Sequence, residues 1–238
     1  MVTYVEFTER LARGQLKNTS AVEDTNLGEI VPDYEATILN LTNQGLVDMT
    51  TRMPLIKKLI DLTFVEDQAE YALDNGAAAY LDASLTEAFV PETFVKVLDI
   101  YDSTGDLYVP SAGTRYQPNS GGHITSPNFN TLRFSAAYRD STKTATYIGP
   151  KVRVQYQAMH VAITDDADVL NLPPSLVIAL QYFVASQYIA DMGGKEHTNR
   201  GDGYYAMYLR AVGEDVILNT SGTSEVEEHD RFTDNGFV

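Results

Sequence analysis

The chain has 238 residues, of which 44% are hydrophobic, and a formal net charge of −16 from 33 acidic and 17 basic side chains. This length and apolar content allow a substantial core, which excludes a largely disordered protein. The absence of cysteine excludes disulfide scaffolds and thiolate metal sites, and the acidic balance disfavours a protein that holds free nucleic acid on a basic surface.

Two features of the sequence bear on its location. It contains no continuous apolar stretch of about 18 residues, the length that a membrane-spanning helix requires. The first residues, MVTYVEFTER, are polar and acidic, unlike the apolar core of a secretory signal peptide. These features predict a protein that is synthesised in the cytoplasm and has no membrane partner.

Helical patterns predominate at the beginning of the chain. Residues 4–17 are compatible with a short helix, whose length Gly14 limits. A second helix has Asp33 as its predicted N-cap and Pro54 as its stop, and it carries apolar residues at helical spacing: Leu39, Leu46, Met49 and Met53. Two helices are therefore expected before residue 56.

Alternating apolar and polar residues then predict a block of β-strands at 60–64, 94–101, 131–134 and 152–158. The DSTG sequence at 102–105 predicts a turn that joins the second strand to 107–109 in a hairpin. A short helical turn is expected at 84–89. Residues 110–130 contain three prolines and three glycines but little to bury, which predicts a long loop that is mobile or held by a partner.

Helical spacing returns after Pro173-Pro174, which suit the first turn of a helix that is apolar almost all round and therefore central. Gly193-Gly194 are expected to end it in a left-handed cap. Asp202 is the predicted N-cap of the last helix, which presents one stripe: Tyr205, Tyr208, Leu209, Val212 and Val216.

These elements predict an α+β fold in which the N- and C-terminal helices, residues 1–55 and 166–219, pack into a helical bundle because each pair has an apolar face to cover. Residues 56–165 are expected to form an inserted antiparallel β subdomain with the loop 110–130. Residues 220–238 are polar and acidic but contain Phe232 and Phe237, which predicts an extended C-terminal arm that orders on a neighbouring subunit. A frayed terminus is the alternative.

The residue types that carry catalysis or bind metals form no recognised pattern. The histidines lack metal-ligand spacing: His123, His160, His197 and His229. Asp165, Asp166 and Asp168 lack the glycine and glutamate of a calcium-binding loop, so a solvated acidic turn is expected. Nucleophile-elbow, phosphate-loop and dinucleotide motifs are absent from the sequence. The sequence therefore predicts a protein that is not an enzyme and has no catalytic, cofactor-binding or metal-binding residues.

Three stretches carry a family likeness: ILNLTNQGLVDMTTRMPLIKKLIDLTF at 38–64, NLPPSLVIALQYFVASQYIADMGG at 171–194, and RFTDNGFV at 231–238. Together with the hairpin sequence VLDIYDSTGDLYV, they resemble the head-to-tail adaptor proteins (connector, gatekeeper or tail tubular A-type) of tailed bacteriophages. The likeness extends over residues 34–238 and leaves residues 1–30 unmatched.

The resemblance implies a structural virion protein that forms a ring, of twelve copies in this family, at the head–tail junction. Its partners would be further copies of itself, the portal protein and the tail or nozzle protein, and the genome would pass through its channel without specific binding. The matched ending implies a partner-docking arm: Arg231, Phe232, Asp234, Phe237 and Val238. The loop is a candidate contact with the next tail protein through Arg115, Tyr116, His123 and Phe129.

The composition fits such a ring. An acidic channel would let DNA slide past without adhering. The 15 tyrosines would supply contact area and hydroxyl groups at subunit interfaces. Alternative functions are another head-completion or tail-tube-terminating ring protein, a soluble binding module that uses the loop 110–130, and an enzyme with paired carboxylates in the β subdomain.

Overall fold

The computed structural model describes residues 2–22, 28–65, 68–74, 76–77, 81, 89–101, 124–134 and 151–218. Over these ranges the fold is mixed α and β, with four α-helices and antiparallel sheets. The chain divides into two compact units, one of Met1–Leu55 with His160–Val238 and the other of Ile56–Met159. Residues 160–165 thus belong to the first unit rather than to the β subdomain, and Asn43 ties them there through two hydrogen bonds with the backbone of Ile163.

The first unit begins with strand β1 (Val2–Thr3) and helix α1 (Tyr4–Arg13). The Thr3 hydroxyl accepts a hydrogen bond from the Glu6 amide and the Glu6 carboxylate accepts one from the Thr3 amide, so the two form a capping box. The helix ends at Gly14, earlier than the predicted residue 17. Strand β1 pairs antiparallel with β8 (Val169–Leu170), which belongs to the same unit.

Helix α2 (Pro32–Arg52) does not begin where the sequence predicted. Val31 is the N-cap and Pro32 the first helical residue, a position at which proline loses no hydrogen bond. Asp33, the predicted cap, instead lies in the first turn, where its negative charge still favours the helix N-terminus. The helix ends before Pro54, as expected.

Helices α3 (Pro174–Asp191) and α4 (Lys195–Leu218) complete this unit. The proline start and the glycine stop of α3 are confirmed, since Gly193 and Gly194 have φ angles of 73° and 85°. The prediction that Asp202 caps the last helix is wrong. The left-handed residues Gly193 and Gly194 already separate the two helices. Helix α4 therefore begins at Lys195, and Asp202 lies inside it.

The core of the helical unit centres on α3, which packs against both α2 and α4. Two glycines set these spacings. A Cβ on Gly45 of α2 would lie 2.5 Å from Leu180 Cδ1, and one on Gly201 of α4 would lie 2.9 Å from the Ser186 carbonyl oxygen. The backbones approach closely at these two positions because glycine has no side chain.

The second unit contains two antiparallel sheets around one core. The first has the order β2 (Ile56–Thr63), β7 (Lys151–Ala158), β4 (Phe94–Tyr101), with β4 preceded by a single 3₁₀ turn at Pro91–Thr93. The second has the order β3 (Glu70–Ala72), β6 (Thr131–Phe134), β5 (Ile124–Asn128). Alternate residues from both sheets meet in the core, including the perpendicular ring pairs among Phe64, Tyr71 and Phe134.

The last part of the long loop predicted at 110–130 is instead regular structure. Residues 124–128 form β5, and a turn at 129–130 leads into β6, so that this end of the segment is a hairpin. Pro127 is tolerated because β5 is at the end of its sheet and its pairing shifts register there. Outside the described residues lie the rest of the predicted loop (110–123), the predicted hairpin partner of β4 at 107–109, and all but the last residue of the helical turn predicted at 84–89.

None of the helices in the described part of the chain combines the length and the apolar character that a membrane span requires.

Candidate subunit interface

Charged residues are missing from the outer face of α2 over most of its length. No charged residue occurs from Ala36 to Val47, although the whole chain has 33 acidic and 17 basic side chains. The exposed residues at helical spacing in this stretch are Ala36, Thr37, Asn40, Gln44 and Val47, and Val47 is 44% exposed. Solvated helix faces in an acidic protein normally carry charges, so this face is unusual.

Helix α3 has no charged residue between Pro173 and Ala190. Most of it is buried, which alone accounts for the apolar character of its inner faces. Near its start, however, Ile178 is 49% exposed and follows exposed Ser175 one turn earlier. The apolar surface of α3 therefore continues from the core to the outside of the unit.

The outer face of α4 shows the same depletion and adds one cation. Its exposed residues from the middle of the helix are Gly203, Ala206, Met207, Leu209 and Arg210. Met207 and Leu209 are 50% and 40% exposed, and no acidic residue occurs between Asp202 and Glu214. Methionine and arginine are enriched at protein interfaces, whereas lysine, glutamate and aspartate are depleted there.

A polar cluster on the inner side of these helices fixes α4 against α2. Asp48 accepts hydrogen bonds from Arg52 Nε at 2.7 Å and from the Tyr208 hydroxyl, and the Arg52 Cζ lies 6.0 Å from the centre of the Tyr208 ring. Arg52 Nη2 also donates to the Tyr205 hydroxyl at 3.5 Å. These contacts hold the two outer faces in a fixed relation within the unit.

The cluster shifts two pKa values in opposite directions. Burial raises the pKa of the Tyr208 phenol far above its usual value, and the neighbouring Asp48 carboxylate raises it further. Partial burial alone would raise the pKa of Asp48, but the hydrogen bonds from Arg52 and Tyr208 hold it below its usual value. At neutral pH Asp48 is therefore charged and Tyr208 is a neutral donor.

A second aromatic contact joins α3 to α4. The rings of Tyr182 and Tyr204 are stacked with their centres 6.0 Å apart, and the Arg200 Cζ lies 5.8 Å from the centre of the Tyr204 ring. Arg200 Nη2 also donates to the Gln15 carbonyl at 3.1 Å, which connects α4 to the segment after α1. Arg200 thus has a structural role within the unit.

Among the described residues, the tyrosines do not provide the exposed contact surface that the sequence suggested. Every tyrosine in the described part of the chain is buried or half-buried, including Tyr182, Tyr204, Tyr205 and Tyr208 of α3 and α4. The exposed apolar positions on these helices are aliphatic or methionine. Tyrosine packs the helices of this unit together, and the outer faces are formed by other residues.

Of the site residues predicted from the sequence, only Phe129 can be placed. It lies in the turn between β5 and β6 and is 71% exposed. The other predicted loop contacts (Arg115, Tyr116 and His123) and the arm residues (Arg231, Phe232, Asp234, Phe237 and Val238) lie outside the described residues.

The acidic turn at 165–168 is organised by its own hydrogen bonds. Asp168 Oδ2 accepts from the backbone amides of Thr164 at 2.7 Å and Asp165 at 2.9 Å, which hold the pKa of Asp168 below its usual value. Nowhere in the described ranges do three histidine or acidic side chains converge as metal ligands. The carboxylate of Asp168 therefore closes this turn.

His160 lies in the connection between β7 and β8. Its Nε2 is 3.2 Å from the Asn171 amide and its Nδ1 is 2.6 Å from the Val161 carbonyl oxygen. The ring must therefore accept at Nε2 and carry its proton on Nδ1. This histidine thus joins two backbone segments.

The charge-depleted faces escaped the sequence-based prediction, although part of their signal is in the sequence. Three long stretches without acidic residues coincide with helical periodicity in a strongly acidic chain. What the sequence does not give is which of those residues are exposed.

The amino-acid sequence matches no model of a known protein family and none of the curated proteins with which it was compared.

Proposed function

We propose that this chain is a subunit of the head-to-tail adaptor ring of a tailed bacteriophage, a structural virion protein that joins the portal to the tail and lets the genome pass through its channel. The proposal includes the finer architecture predicted from the order of elements in the sequence: a helical bundle with an inserted β subdomain and an extended C-terminal arm. It assigns the chain no catalytic role.

The observation that carries the proposal is the charge depletion of the outer faces of α2, α3 and α4 in a chain of net charge −16. Leaving such faces in water gives no benefit to solubility, whereas contact with another subunit would bury Val47, Ile178 and Met207. A closed ring needs two different contact faces on each subunit, because each copy meets its two neighbours through different surfaces. Several helices with outer faces of this kind can supply both.

The acidic charge of the rest of the chain supports the proposed passage of the genome through the channel of the ring. Acidic side chains placed toward a channel repel the phosphate backbone and prevent the counterion release that drives DNA binding. The arm residues Arg231, Phe232, Asp234, Phe237 and Val238 would dock on the portal or on an adjacent subunit, and Phe129 is a candidate contact with the next tail protein. These assignments rest on the family likeness.

The test is assembly. The chain is co-expressed with the products of its neighbouring genes, and the purified particles are examined by electron microscopy. A closed ring attached beneath a portal is expected for the wild-type chain. Met207→Glu places a charge on the outer face of α4 and is expected to prevent ring closure.

Val161→Glu is the matched control, because Val161 is 70% exposed and lies outside the three helices. Its rings should be indistinguishable from those of the wild type. If Met207→Glu forms rings as well as the wild type does, the proposed interface on the outer face of α4 is contradicted. If the wild-type chain stays monomeric and joins no assembly, the proposed adaptor function is contradicted. Rings that cap a tail tube without a portal would favour the tail-terminating alternative.

A further inference from the structure

A cavity of about 390 Å³ lies in the helical unit beside the C-terminal end of α3. Its lining residues come from the segment after α1, from α2 and from the end of α3: Ser20, Tyr34, Thr37, Tyr188, Asp191 and Met192. The cavity is large enough for a small organic group. Its described lining includes Thr37 from the outer face of α2 and no residue of α4.

Two walls of this cavity are aromatic. The rings of Tyr34 and Tyr188 are perpendicular, with an interplanar angle of 89° and their centres 5.8 Å apart. The Tyr188 hydroxyl is 3.1 Å from the Ser20 hydroxyl, which holds the Tyr188 ring in place. The faces of aromatic rings attract cations, so two tyrosines in the wall of one cavity can contribute to the binding of an ammonium group.

Among the described residues around the cavity, no basic side chain balances its negative charge. Asp191 is the last residue of α3, whose last turn contains no basic residue, and a helix C-terminus itself carries a partial negative charge. A carboxylate at that end is therefore unfavourable on its own. Asp191 is exposed, and among the described residues it forms no ion pair. The lining residues that the structure describes include no lysine, arginine or histidine.

We infer that this cavity binds an organic cation, an alkylammonium or guanidinium group, with Asp191 and the helix end supplying the charge and Tyr34 and Tyr188 the aromatic walls. A neutral ligand would leave Asp191 without a partner. A hard metal ion would require several oxygen ligands, whereas this cavity offers one carboxylate, hydroxyl groups and a thioether. The inference does not depend on ring formation.

Met192 provides a local reporter. The chain contains six methionines, of which Met192 lines the cavity and Met207 is exposed on α4, outside it. The protein is labelled with ¹³C on the methionine methyl groups and titrated with tetramethylammonium, ethylguanidinium or Nα-acetyl-lysine methylamide in about 0.15 M salt, which screens nonspecific attraction to an acidic protein. The neutral compound tert-butanol serves as the shape control for tetramethylammonium.

The cations are expected to shift the Met192 methyl signal in a saturable manner and to leave the Met207 signal in place, whereas tert-butanol should move neither. Asp191→Asn keeps the shape of the cavity and should weaken cation binding by at least about fivefold. Asp202→Asn makes the same charge change on α4 and should bind as the wild type does. Response to tetramethylammonium alone would indicate a free ammonium ligand, and response to the lysine derivative would indicate a side chain of a partner protein.

Three results would overturn the inference: no shift of Met192 with any cation, an equal shift with tert-butanol, or unchanged binding by Asp191→Asn. The unaltered signals of the buried residues Met49 and Met53 show in each variant that the helical unit is still folded.

Discussion

The Tyr208 hydroxyl of α4 donates a hydrogen bond to the Asp48 carboxylate of α2, although the two residues are 160 positions apart in the sequence. Asp48 also forms a salt bridge with Arg52 on its own helix. One carboxylate thus connects the N-terminal segment of the helical unit (Met1–Leu55) to its C-terminal segment (His160–Val238). The stability of the helical unit therefore depends in part on the Asp48 carboxylate, the Tyr208 hydroxyl and the Arg52 guanidinium.

Tyr208→Phe removes the donor and keeps the ring. We expect the free energy of unfolding to fall by about 1.5–3 kcal/mol, because a partly buried carboxylate loses a hydrogen bond. Urea unfolding followed by circular dichroism measures this change. Tyr182→Phe is the control, since no described residue hydrogen-bonds to the Tyr182 hydroxyl, and it should change stability by less than about 0.5 kcal/mol. Equal effects of the two variants would contradict the assigned role of the hydrogen bond.

Alkaline pH should destabilise the helical unit through its buried phenols. Burial raises the pKa of Tyr4 to about 12 and that of Tyr208 further, whereas an unfolded tyrosine titrates near pH 10. A raised folded pKa gives stability that is complete below about pH 10 and is lost as the pH rises through the folded pKa. Tyr4→Phe removes one such group, so its unfolding free energy should fall less steeply between pH 10 and 12 than that of the wild type. Identical slopes in urea titrations across this range would rule out Tyr4 as a contributor.

Two glycines of the helical unit should respond to alanine with opposite signs. At Gly45 the new methyl group would lie 2.5 Å from Leu180 Cδ1 and 2.8 Å from Phe183 Cδ1, so Gly45→Ala should destabilise the protein by about 1–3 kcal/mol. At Gly203 the new methyl group meets nothing within 4 Å, so Gly203→Ala should stabilise α4 by about 0.5–1 kcal/mol. Thermal unfolding of both variants checks the signs, and a loss of stability in Gly203→Ala would mean that this helix face is already covered.

Removal of residues 225–238 should leave the folded body intact and abolish its attachment to the portal. The prediction follows from the proposed arm, in which Phe232 and Phe237 fill pockets on a partner. Co-purification with the portal protein measures attachment, and circular dichroism checks the fold. The full-length double variant Phe232→Ala/Phe237→Ala should fail in the same way, whereas Thr233→Ala should attach normally. Attachment of the truncated chain would remove the arm from the proposal.

The elements predicted best are those whose signals are local and strong. The limits of α3 follow from a proline pair and a glycine pair around an uncharged segment, and β4 has the predicted bounds at 94–101. Asp33 and Asp202 are not N-caps, because in both helices another residue earlier in the sequence begins the helix. A proline at Pro32 begins α2, and the left-handed glycines before Lys195 allow α4 to begin a full two turns earlier than the aspartate.

The candidate sites depend on tertiary structure and are harder to predict. The exposure of Met207 and Ile178 follows from how α3 and α4 pack, which helical periodicity alone did not reveal, since Leu209 was expected on the inner stripe and is 40% exposed. The cavity at Asp191 joins residues from separate parts of the chain, as far apart as Ser20 and Met192. No local pattern brings such residues together in advance.

The discontinuous helical unit has a consequence for synthesis on the ribosome. Helices α1 and α2 emerge first, but the partners of their apolar faces follow only after the whole of Ile56–Met159 has been translated. At about 5–20 residues per second, those faces wait for several seconds or more without a partner. During that interval the nascent chain exposes the surfaces of Leu41, Leu46 and Met49 that α3 later covers. Holding by chaperones, or a brief translational pause after the last helix, would therefore affect the yield of this protein more than that of one built from consecutive helices.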